Sequence, residues 1–229
     1  MVLRTEQIAK MFDLSCVRTY NTKDDIVELI DAAKKHRCGQ VSVLQCFIDL
    51  SRELLKDEKG IKVVGNISFP SGSDITELKV LQAAQMVGKC DEIDMVMNVC
   101  YLKSGMYSYV EEDVKAVKKA VGETPLKVII ESALLDKKRI EKACEICINA
   151  GAAFVKTGTG WTSPTTVEQV KLIKSIVGDA IAIKASGGIK NLNLLLQMYA
   201  SGATRFGVNM KTGIAILNEC IDAGGSLTV

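Results

Sequence analysis

Two lysines, Lys156 and Lys184, close two short apolar runs, and each leads straight into glycines. The stretches read A-A-F-V-K-T-G-T-G at 152–160 and A-I-A-I-K-A-S-G-G at 180–188. Lysine is rarely buried unless it is paired or used. An amine attacks a carbonyl only when unprotonated, whereas free lysine has a pKa of about 10.4. A neighbouring cation and partial burial both disfavour the ammonium and lower that value. A lysine at the tip of a strand, beside a second cation, is therefore a candidate imine-forming nucleophile. Spacing alone leaves open which of the two attacks.

Asp94, in D-E-I-D-M-V-M-N, sets a carboxylate inside an apolar run, where an ionised oxygen needs a partner. It shares strand parity with Glu92, while Ile93, Met95 and Met97 face the other way. Directly or through a water, Asp94 can move the protons that form and dehydrate a carbinolamine. A purely structural Asp–Lys pair is the competing account. Three ionisable residues on three strands, two of them cations, favour a working site. Gly158 and Gly160 follow Lys156, Gly187 and Gly188 follow Lys184, and Gly207 sits in R-F-G-V-N. Glycines there let backbone N–H groups approach an oxyanion, so the reading is phosphate binding, with tight turns as the alternative.

These residues need a scaffold that brings distant strands to one mouth. The candidate strands are Met11–Leu14, Val41–Cys46, Lys62–Ile67, Glu92–Met97, Lys127–Ile130, Ala153–Lys156, Ala180–Lys184 and Ala203–Phe206. Amphipathic runs such as D-I-V-E-L-I-D-A-A-K-K and E-L-K-V-L-Q-A-A-Q-M-V lie between them. Glycines at 88, 151, 178 and 202 read as helix terminators before the next strand. Eight strand–helix units predict one α/β domain, a single (β/α)8 TIM barrel over residues 1–229. An open doubly wound sheet is the structural alternative, but G-x-G-x-x-G is missing after the first strand.

The chain has 229 residues, 48% of them hydrophobic, and a formal net charge of +2. That excludes a general basic field for nucleic acid or membrane binding. His36, in K-K-H-R, is the only histidine, so a histidine triad, a zinc site or a metal-dependent aldolase has no ligand set. Cys144 and Cys147 form a CxxC in helical context and read as core packing. Met1 to Lys10 is mixed and amphipathic rather than a secretion signal, so reduced thiols and a cytoplasmic location are expected. Cys46 lies near the second strand's outlet, where a pocket thiol and inert packing both stay open; Trp161 reads as a cover for the mouth or as helix packing.

Taken in order, D-E-I-D-M-V-M-N at 91–98, Y-L-K-S-G at 101–105, L-K-V-I-I-E at 126–131, F-V-K-T-G-T-G at 154–160, I-K-A-S-G-G-I at 183–189 and G-A-T-R-F-G at 202–207 resemble the deoxyribose-phosphate aldolase family. The resemblance runs from about Phe12 to Leu217. It implies Lys156 as the Schiff-base lysine, Lys184 as the lysine that tunes it, and Asp94 in the proton relay. It also implies reversible cleavage of 2-deoxy-D-ribose 5-phosphate to D-glyceraldehyde 3-phosphate and acetaldehyde, without metal or organic cofactor, and a homodimer.

The chain departs from the family pattern around substrate recognition. G-V-N-M-K replaces the usual serine pair, so Asn209 and Met210 stand where hydroxyls would help hold phosphate. Asn209 can still donate through its amide, and Lys211 stands beside it. K-T-G-T-G-W replaces K-T-S-T-G, and D-L-S-C-V-R replaces D-H-T-L-L-K. Two other readings therefore stay open: a related Schiff-base enzyme for another short aldehyde or sugar, with or without a phosphate, and a non-catalytic barrel that binds a sugar phosphate. The glycines of D-A-G-G-S-L-T-V suggest a flexible tail whose reach toward the mouth is open.

Overall fold

The structure is a computed structural model that describes residues 2–228. Eight parallel strands close into a barrel: β2 (Phe12–Cys16), β3 (Gln40–Val43), β4 (Lys62–Ile67), β5 (Glu92–Val96), β6 (Leu126–Ile129), β7 (Phe154–Lys156), β8 (Ala182–Ser186) and β9 (Arg205–Asn209), the last pairing back onto β2. The expected (β/α)8 architecture is the one observed. Around it lie α2 (Lys23–His36), α3 (Ile48–Leu54), α4 (Thr76–Met86), α5 (Val99–Lys103), α6 (Tyr107–Val121), α7 (Lys137–Asn149), α8 (Val167–Val177), α9 (Leu192–Ala200) and α10 (Met210–Asp222). No described helix is long and apolar enough to cross a membrane.

Local chemistry sets the helix ends. Thr22 and Thr166 accept from the backbone N–H three residues on, while Asp25 and Gln169 reach back in reciprocal capping boxes. Gly88 and Gly151 take φ of 80° and 73°, the left-handed geometry that a side chain would resist. Outward strand residues such as Ile93, Met95, Val128, Val155 and Ile183 pack under the helices in one apolar core. That burial is worth roughly 1.5–3 kcal/mol per large side chain.

The inward face is different. Barrel interiors are normally stacked layers of branched apolar residues. Here Asp13, Gln40, Ser42, Asn66, Glu92, Asp94, Lys127, Lys156 and Lys184 are all buried. The barrel's polar side chains are thus gathered on its inward face.

Two strand positions differ from expectation in a way that matters. β8 begins at Ala182, because the Ala180 N–H closes the turn after α8 on Val177 O. β9 begins at Arg205, because the Ala203 N–H closes α9 on Met198 O. Lys156 does end its strand, but Lys184 lies two residues inside β8 rather than at its tip.

The barrel's opposite end is also closed. β1 (Val2–Arg4) pairs antiparallel with β10 (Ser226–Thr228), setting Val2 opposite Thr228. Between β1 and β2, α1 (Thr5–Met11) buries Ile8 and Ala9 and accepts the Gly39 N–H on Ala9 O, just ahead of β3. The tail read as flexible is thus tied, through Thr228, to the face away from the strand outlets; Val229 lies outside the described residues.

Candidate active site

β7 and β8 pair with Lys156 directly beside Lys184. Both ammonium nitrogens donate to the same oxygen, Asp94 Oδ2, at 2.7 and 2.6 Å. The three residues nominated for chemistry therefore meet in one cluster. Lys184 also donates to Asp13 on β2. The other Asp94 oxygen accepts from Lys127 on β6 at 2.8 Å. Lys127 in turn pairs with Glu92 at 2.9 Å, and Glu92 pairs with Lys62 and Arg205 at 2.7 and 3.3 Å.

Burial and charge act differently on each member. Lys156 is 5% exposed. Its burial is the largest influence and pulls its pKa down; Asp94 opposes this, the Lys184 charge assists, and the net value is about 8. Desolvation thus does more than the neighbouring cation. Burial also pulls Lys184 down, but Asp13 and Asp94 outweigh it and hold its pKa above the ordinary value. For Asp94, burial pushes upward, yet the Lys127, Lys156 and Lys184 charges keep it well below the carboxylate range. The result is one amine that releases its proton near neutrality beside one that stays charged.

That asymmetry has a pH signature. With a pKa of about 8, about a tenth of Lys156 is neutral at pH 7. Reductive trapping of an aldehyde on the protein is expected to speed up as pH rises and to level off above about 8. Mass spectrometry of borohydride-quenched samples across pH 6–11 reads this directly; a rate still climbing through pH 10 would place the amine in an ordinary environment.

Above the cluster lies an open cavity of about 500 Å³. Gly160, Gly187, Gly188, Gly207 and Asn209 line it, as do Arg18, Lys190 and Lys211. A smaller inner cavity of about 20 Å³ reaches down to Lys156 and Lys184. Gly158 is placed elsewhere: a Cβ there would sit 2.9 Å from Glu131 Oε1, so its missing side chain makes room for that carboxylate, not for a ligand. Gly187 and Gly188 take φ of 96° and 78°, and a Cβ on Gly188 would strike Pro164. Asn209 turns Oδ1 to the N–H of Thr212, capping α10. Cys46 is exposed in a short 3-10 turn, because β3 ends at Val43; the thiol lining the cavity is Cys16, pushed up to about 11 by burial.

Residues 6–219 match the family described as DeoC/LacD family aldolase. The chain belongs to that family. It is 39% identical over 226 residues to the deoxyribose-phosphate aldolase of Sinorhizobium medicae (strain WSM419), covering 98% of this chain and 91% of the relative. It is 41% identical over 210 residues to that of Mycoplasmopsis pulmonis (strain UAB CTIP), covering 91% and 95%. A solved structure described as "QR15, an Aldolase" superposes with a TM-score of 0.89 at 34% identity, covering 95% of this chain and 97% of that one.

In this DeoC/LacD family chain, sequence reasoning missed Asp13, Lys127 and Glu131. Glu131 is buried at φ 52° and accepts from the Thr159 N–H, Thr159 Oγ1 and Thr162 Oγ1. Those bonds pin the loop after Lys156 from below, while Thr157 and Thr165 tie it to Ser186 O. Trp161 rides on that loop, edge-on to Phe69 and under the Arg18 guanidinium, which also donates to Gly160 O. The inward parity shared by Asp13, Glu92 and Asp94 was the available signal. Glu131 left none, because its role depends on a left-handed turn.

Proposed function

We propose that this chain is a class I aldolase that reversibly cleaves 2-deoxy-D-ribose 5-phosphate into D-glyceraldehyde 3-phosphate and acetaldehyde. The observation that carries the reading is Lys156: a buried amine at a strand end, its pKa lowered, hydrogen-bonded to a carboxylate that a second ammonium shares. In the cleavage direction the Lys156 nitrogen bonds to the sugar's aldehyde carbon, and the carbonyl oxygen leaves as water. Loss of the proton from the hydroxyl at C3 breaks the C2–C3 bond, releases the phosphorylated aldehyde and leaves a two-carbon enamine. Protonation at carbon and hydrolysis then return acetaldehyde and the free amine. Asp94, held as an anion, stabilises the iminium and orients the proton traffic. Lys184, which keeps its proton, is the adjacent acid.

The phosphate is assigned to the outer cavity, where Gly187, Gly188, Lys190 and Lys211 lie together. One observation favours a second reading, an unphosphorylated substrate: Met210 brings no polar side chain where the family pattern has a hydroxyl. Reductive trapping with acetaldehyde tests the chemistry, with an ethyl adduct expected on Lys156 by peptide mapping. Steady-state rates on deoxyribose 5-phosphate and deoxyribose then separate the substrates. The phosphorylated sugar is expected to win by at least ~100-fold in kcat/KM, since a phosphate meets charge-assisted donors that a hydroxyl does not. Equal rates would favour the second reading.

A further inference from the structure

The inner cavity has a polar wall that cleavage of a deoxy sugar does not use. Asn66 lies on β4, 2% exposed, and lines that cavity together with Ser42, Asp13, Ser15, Lys156 and Lys184. Its Nδ2 donates to Ser42 Oγ and to Val43 O, each at 3.0 Å. The second bond fixes the amide, because a flipped Asn66 would set its oxygen against a carbonyl oxygen. Oδ1 therefore points away from both, and among the described residues it has no hydrogen-bond partner. Asp13 Oδ1, lining the same cavity, has none either. A buried acceptor without a donor is costly, and native proteins seldom keep one unless something else supplies the proton. Two such acceptors beside an imine-forming amine call for a ligand group that donates.

We propose that Asn66 and its neighbours form a hydroxyl-accepting donor subsite, so that the enzyme also takes hydroxylated short aldehydes, glycolaldehyde being the smallest, as the nucleophilic partner in aldol addition. The proposal rests on the Lys156 imine reading. Acetaldehyde presents only a methyl group here, which satisfies neither acceptor. A hydroxyl on the carbon next to the imine satisfies one, and about 20 Å³ is room for a single water-sized group. The bond changes follow the same course. The amine bonds to the aldehyde carbon, and the oxygen departs as water. The hydroxyl-bearing carbon loses a proton to give the enamine, then bonds to the acceptor's carbonyl carbon, whose oxygen takes up a proton. Hydrolysis frees the product, which keeps a hydroxyl at the position the deoxy sugar lacks. No electrons enter or leave.

The test uses the whole enzyme, glycolaldehyde and acetaldehyde as donors, and D-glyceraldehyde 3-phosphate as acceptor. With the unsubstituted protein, glycolaldehyde is expected to be trapped by borohydride on Lys156 at a half-saturating concentration no higher than that of acetaldehyde. Failure to trap it, while acetaldehyde is trapped, overturns the proposal but leaves the imine reading intact; failure of both overturns the imine reading. Asn66→Leu keeps the volume and removes the acceptor. The kcat/KM ratio of glycolaldehyde to acetaldehyde is expected to fall about tenfold in that variant. An equal drop for both donors would mean that Asn66 holds only a water or the fold, and would end the proposal. Should Asn66→Leu not fold, Ser42→Ala, which removes one of the two contacts that hold the amide, is expected to lower the same ratio, and an unchanged ratio there counts against the subsite.

Discussion

Lys156→Ala is expected to abolish reductive trapping and to lower aldol cleavage by at least ~10⁴-fold, the scale seen when a covalent nucleophile is deleted. Lys184 does not take over. Asp13 and Asp94 both bind its ammonium, and its pKa is held above the ordinary lysine value, so its lone pair is unavailable at neutral pH. Lys127 is fully buried between Glu92 and Asp94 and has no access to either cavity's lining. The fold is expected to survive, because Asp94 keeps two of its three cations. Intact-mass analysis after borohydride treatment with acetaldehyde, alongside a urea midpoint, checks both halves. An adduct moving to Lys184 would exchange the roles of the two lysines.

Asp94→Asn is expected to damage both stability and turnover. Among the described residues Asp94 is the only group that touches all three central lysines, and its replacement removes the negative charge they share. Breaking a buried pair by removing one partner costs about 3–5 kcal/mol. The sign with pH follows from the shift. The folded carboxyl is held far below its unfolded value of about 3.9, so its stabilising contribution is present above that value and is lost as pH falls through the folded one. The gap between the two proteins should therefore be widest near neutrality and close in strong acid, as read by urea unfolding at several pH values. Turnover should fall by about 10²–10⁴, the usual contribution of positioned proton transfer. A variant of native stability would show that Asp94 is not what holds the cluster together.

The barrel was legible because eight short apolar runs alternate with helices that carry clear amphipathic stripes. The lysines and Asp94 were legible for a related reason: a charge inside a buried run has to be answered by another charge. What the chain did not disclose is depth. β8 runs on to Ser186, so Lys184 lies two residues inside its strand while Lys156, its register partner, ends β7. Partners were equally hidden, since Lys127 answers Asp94 from 33 positions away in sequence and Asp13 answers Lys184 from 171. Gly158 misled because a glycine required by Glu131 looks the same in sequence as one required by a ligand.

The short ladder that sets Val2 opposite Thr228 has a topological consequence. With those two positions side by side at the end of the barrel remote from Lys156, a few glycines would bridge them into a ring. The order of the eight strand–helix units is then a cyclic sequence without a privileged first member. A circularly permuted chain reopened at an exposed turn on that same end, such as Lys59–Gly60 ahead of β4, would retain every contact of the lysine cluster.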